Sequence, residues 1–108
     1  MTNSNNRYTA TDRERAKQVD LIAFIKKYHH NTITYAPHPN YECTCYRSTI
    51  HNSLAFYTKR NKDGSITYRF HRFSTGQDDD AIQYLRQYLC YNFADAISAL
   101  LSFADHTA

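Results

Sequence analysis

The tetrad Asn61-Lys62-Asp63-Gly64 constrains this chain more than any other feature, because it separates two segments whose side chains alternate in character. Asp-Gly suits the backbone of a tight turn, and a period of two marks a strand with unlike faces. Leu54 to Lys59 and Ser65 to Phe73 therefore read as an antiparallel hairpin. Alternation points Ile66, Tyr68 and Phe70 one way, with Leu54 and Phe56. Thr67, Arg69 and His71 point the other way, with Tyr57 and Lys59, which predicts one apolar face and one basic, aromatic face.

Two more β-rich runs, Thr32 to Tyr35 and Tyr41 to Tyr46, precede the hairpin. Between them Ala36-Pro37-His38-Pro39-Asn40 is a loop, since proline cannot donate to a central ladder. Residues 1–10 are polar and aperiodic, the pattern of a flexible lead. The spacing of Ala16, Val19, Ile22, Ala23, Ile25 and Tyr28 then predicts one helix over 12–28, capped by Thr11 or Asp12. Lys26, Lys27, His29 and His30 close it at the negative end of its dipole.

After Gly76 the period becomes helical. Asp78, Asp79 and Asp80 read as the cap of a helix with an apolar stripe of Ala81, Ile82, Tyr84, Leu85, Tyr88 and Leu89. Asn92 caps a last helix carrying Phe93, Ala96, Ile97, Leu100 and Leu101. The expected fold is α+β: a small antiparallel sheet preceded by one helix and followed by two. It forms one domain over 11–104, with 105–108 as a tail.

A 108-residue chain that is 42% hydrophobic and 21% charged suits a single packed core. The amino-terminal stretch lacks the apolar run of a secretory signal, and no segment is apolar over a membrane's thickness, so a cytoplasmic location without membrane contact is expected. Cys43, Cys45 and Cys90 are then reduced thiols, acting as small hydrophobes. A net charge of +3 says little, but its distribution says more. From Cys43 to Phe73 the chain carries Arg47, Lys59, Arg60, Lys62, Arg69 and Arg72 against Asp63 alone, while Asp78, Asp79 and Asp80 sit elsewhere.

Several segments, in order, resemble the zinc-binding module of DnaG-type bacterial primases. Asp80-Ala81-Ile82-Gln83-Tyr84-Leu85 and Cys90-Tyr91-Asn92-Phe93-Ala94-Asp95-Ala96-Ile97 are similar to that family's G-D-A-I-x-F-L and G-L-S-F-x-E-A-V patterns. Val19-Asp20-Leu21-Ile22 through Tyr28 resembles its opening helix, and Ser53-Leu54-Ala55-Phe56 falls where it has T-P-S-F. The likeness runs from about Lys17 to Leu101 and implies a zinc-ribbon-like sheet. The zinc ligands do not follow. Counting back from Phe56 reaches Cys45 or Tyr46 and then Thr49, with His51 two positions beyond. Counting back from Asp80 reaches Arg72 and Thr75, neither a zinc ligand. A rearranged set of Cys43, Cys45, His51 and His71 lacks knuckle geometry, so no metal or other cofactor is expected. Tyr41, Tyr46, Phe56, Tyr68, Phe70 and Phe73 are the aromatics expected to supply a compensating core.

Catalysis finds little support. There is no phosphate-binding glycine loop and no G-x-S-x-G nucleophile, and the acidic triplet is explained by capping. The basic, aromatic face suits single-stranded DNA, with Tyr57, Lys59, Arg60, Lys62, Arg69, His71 and Arg72 as its contacts. The resemblance implies a non-catalytic replication accessory that holds template for a separate polymerase, primase or helicase subunit, of the kind encoded on mobile elements. The alternative is a protein-interaction module that regulates a polymerase, helicase or relaxase without touching DNA.

Overall fold

The computed structural model describes residues 8–37 and 45–107. Two helices, α1 (Ala10–Lys17) and α2 (Leu21–His29), open the chain, and a 3-10 turn (His30–Thr32) leads into the sheet. The strands are β1 (Ile33–Tyr35), β2 (Tyr46–Ser48), β3 (Leu54–Arg60), β4 (Ile66–Arg72) and β5 (Gln77–Asp80). Helices α3 (Ala81–Tyr88) and α4 (Phe93–Thr107) follow. The five strands lie in sequence order, each antiparallel to the next, so the α+β expectation holds.

The hairpin forms where the Asp-Gly signal places it. Asn61 N–H donates to the Ser65 carbonyl at 2.8 Å, and Gly64 adopts φ +90, a value that favours a residue with no Cβ. Phe56 pairs with Phe70 and Tyr57 with Arg69, so the predicted faces are the observed ones. Leu54, Phe56 and Phe70 are fully buried beneath Ala16, Leu21, Phe24, Ile25, Tyr84, Leu85, Ile97 and Leu100. Helices α1, α2 and α3 thus pack on one face of the sheet, and α4 packs across these helices.

Three sequence readings change. The single helix expected over 12–28 is two, because the Asp20 carboxylate accepts the Ala23 N–H at 2.9 Å and starts a new helix. A short polar side chain competing for backbone donors favours such a break. It also turns Ala16 and Val19, and then Leu21, Phe24 and Ile25, toward one core. The first N-cap is Thr9, in a capping box with Asp12, rather than Thr11 or Asp12.

The acidic triplet lies wholly in β5. Gln77 to Asp80 pair with Arg69 to Arg72, and only Asp80 caps α3, accepting the Gln83 N–H at 3.0 Å. Ladder partners on β4 outweigh the weak strand preference of aspartate, so tertiary context decides.

Several core assignments change as well. Cys45 is fully buried as expected, but Cys90 is exposed at φ 63, where α3 has ended. Phe73 and Phe93 are 47% and 41% exposed, outside the core. Phe56 and Phe70 do fill it, with Tyr46 and Tyr68 partly buried against it, whereas Tyr41 and Cys43 lie outside the described residues, as does most of the proline loop. Asn92 caps α4 as predicted, its side chain accepting the Asp95 N–H at 2.8 Å. No helix among the described residues is long and apolar enough to cross a membrane.

Candidate nucleic-acid interface

On the sheet face away from the helices, strand alternation and register bring Tyr57, Arg69 and His71 together from β3 and β4. The register of β5 sets Asp78 opposite His71 on the same face. Its carboxylate is the centre of the group. The Tyr57 hydroxyl sits 2.7 and 2.6 Å from its two oxygens, Arg69 Nε donates to Oδ1 at 2.8 Å, and His71 Nδ1 lies 3.0 Å from Oδ2. Arg69 Nε also approaches the Tyr57 hydroxyl at 3.3 Å.

The electrostatics follow from this packing. Partial burial works against the Asp78 charge, but hydrogen bonds from Tyr57, Arg69 and His71 outweigh it and hold the carboxyl below its ordinary value of 3.8. Burial, and then donation to Asp78, push the Tyr57 hydroxyl up to about 12. Burial disfavours the Arg69 charge, yet Asp78 and Tyr57 raise its pKa overall. Three predicted DNA contacts are therefore organised around a carboxylate that neutralises part of their charge. Sequence distance hid it, because Asp78 stands outside the cationic stretch that its strand completes.

The other predicted residues divide. Lys59, opposite Thr67, shares the Tyr57 face, and Lys62 sits in the exposed turn. Arg60 is exposed but belongs by alternation to the opposite face. Arg72 does not join the interface. It lies opposite Leu54 on the helix-bearing face, where its Nη1 donates to the Tyr88 hydroxyl at 3.1 Å and its guanidinium lies 6.0 Å from the Tyr88 ring. Its Nε is buried with no hydrogen-bond partner. Arg72 shares the parity of Phe70 in β4, which assigns it to the helix-bearing face.

Two residues that the sequence reading left out of the site lie beside it. Arg47 pairs with Ala55, in the same cross-strand row as His71 and Asp78, and is exposed. The Phe73 ring packs edge-on against His71 at 4.6 Å. Arg47, Lys59 and Lys62 form no ion pair among the described residues, which leaves these three cations for a polyanion. Among the described residues, no three His, Cys, Asp or Glu side chains come together as a metal-holding group.

Comparison of the chain with protein-family models, with curated proteins and with solved structures finds no match.

Proposed function

We propose that this protein is a non-catalytic accessory of DNA replication that holds single-stranded template on its sheet. The observation that carries this reading is the grouping of Tyr57, His71 and Arg69 on the helix-free face, flanked by Arg47, Lys59 and Lys62. Cations of this kind follow phosphates, and aromatic rings stack on bases without demanding a sequence. Chemistry then belongs to a partner, a polymerase, primase or helicase subunit, in line with the primase-module likeness of the flanking helices.

The test is a titration of labelled oligothymidine with the isolated protein over a series of salt concentrations. Binding that weakens steeply with salt and is lost on Lys59→Glu with Lys62→Glu supports the reading. Salt-independent or absent binding rejects it and favours a module that contacts only protein.

A further inference from the structure

A second site lies on the other side of the sheet, away from the Asp78 group. A groove of about 420 Å³ opens between α2 and the hairpin, lined by Asp20, Ile22, Ala23, Lys26, Tyr46, Thr58 and Tyr68. That volume is within the range of small-molecule sites. Its two ends carry opposite charge. At one end the Lys26 ammonium lies 2.9 Å from the Tyr46 hydroxyl and 4.5 Å from that ring's centroid. At the other, Asp20 caps α2 and is hydrogen-bonded by Tyr68.

Between the ends the floor is aromatic and hydroxylic. Tyr46 meets the half-exposed Tyr35 ring edge-on at 5.6 Å, which extends the aromatic surface toward β1. Asp20 and Lys26 are six residues apart along α2, a rise of ~9 Å. A ligand that matches has an anionic end, a planar ring and a hydrogen-bond donor at the far side.

We infer that this groove binds one nucleotide unit, its phosphate at Lys26, its base against Tyr46, and an exocyclic amine donating to Asp20. Carboxylates accept such amines, as they do from cytosine. Adenine and cytosine are therefore preferred over uracil. The unit is either a free nucleoside monophosphate or one residue of a bound strand. The inference does not require the strand-binding reading of the opposite face.

The experiment records NMR chemical-shift changes on titrating the whole protein with AMP, CMP and UMP, and separately with a short oligothymidine and a short oligocytidine. Saturable shifts centred on Ala23, Lys26, Thr58 and Tyr68, stronger with AMP and CMP than with UMP, support the site. Ala23→Arg fills the groove while keeping a good helix former, and should abolish them. Lys26→Glu should weaken binding about tenfold, the scale of one charge-assisted contact. Asp20→Asn keeps a competent N-cap, so its expected effect is loss of the amine preference without unfolding.

Groove shifts seen only with oligocytidine assign the site to a residue of a strand, and shifts with mononucleotides assign it to free ligand. Lys59→Glu with Lys62→Glu should leave the mononucleotide response intact, which separates this site from the opposite face. Absence of groove shifts with every probe, or shifts unchanged in Ala23→Arg, overturns the inference whatever oligothymidine does on the other face.

Discussion

Arg69 Nε donates to Asp78 Oδ1 across 2.8 Å, joining the fourth strand to the fifth on the face that carries the unpaired cations. Both side chains are more than half buried, at 25% and 32% exposure, so this pair is screened less than a surface ion pair. It also determines how positive the face is. Asp78 holds Tyr57 and Arg69 in place and at the same time lowers their attraction for phosphate.

Asp78→Asn should therefore separate the two roles. Loss of the charge-assisted bonds should lower stability by about 1–2 kcal/mol. Oligothymidine affinity at low salt should rise, with the salt slope steeper by about one phosphate contact. Urea denaturation and a salt series of binding curves check the pair of effects. A variant that binds more weakly would show that Asp78 orders the face more than it neutralises it.

Stability should fall at both extremes of pH, for different reasons. The folded-state pKa of Asp78 is depressed, so its contribution is present above the ordinary value of 3.8 and is lost as pH drops through the lower folded value. The Tyr57 pKa is raised to about 12, so its contribution is present below 10 and is lost as pH climbs from 10 toward 12. Melting temperatures across pH 2 to 12 check both limbs. Tyr57→Phe should shrink the alkaline one, while Tyr84, buried and also pushed up to about 12, still contributes.

The cations should divide by face. Lys59→Glu with Lys62→Glu should weaken oligothymidine binding and leave the melting temperature within about 2 °C, since exposed substitutions rarely move stability. Arg72→Ala should do the reverse, costing about 1–3 kcal/mol through its lost Tyr88 contact, with binding retained. Arg69→Glu should destabilise, because it sets a second carboxylate against Asp78. Paired thermal melts and binding isotherms distinguish these outcomes.

Folding should rest on the aromatic core rather than on metal. Phe70, fully buried, meets the rings of Tyr84 at 5.9 Å and Tyr88 at 5.7 Å, so Phe70→Ala should cost about 3–5 kcal/mol. A strong chelator should leave the urea midpoint of the unsubstituted protein unchanged. A large drop on chelation would place structural metal in this fold.

Local chemistry made much of the fold legible. The Asp63-Gly64 turn, the alternation of β3 and β4, the Asn92 cap and the stripes of α3 and α4 each follow from a few adjacent residues, because turn geometry, side-chain period and capping are short-range effects. The Asp20 cap was within reach by the same logic, as a short acid directly ahead of an apolar run.

Long-range pairing was not legible. Strand β5 exists because Gln77 to Asp80 meet a ladder partner in β4, and nothing in three consecutive aspartates favours a strand. The same pairing carries Asp78 to Tyr57, 21 residues distant, which no charge count along the chain could show. Sequence by itself determined which residues turn, alternate and cap, and so the faces of the hairpin. Tertiary structure alone decided which charges meet, because strand register sets distances between residues that the chain keeps far apart.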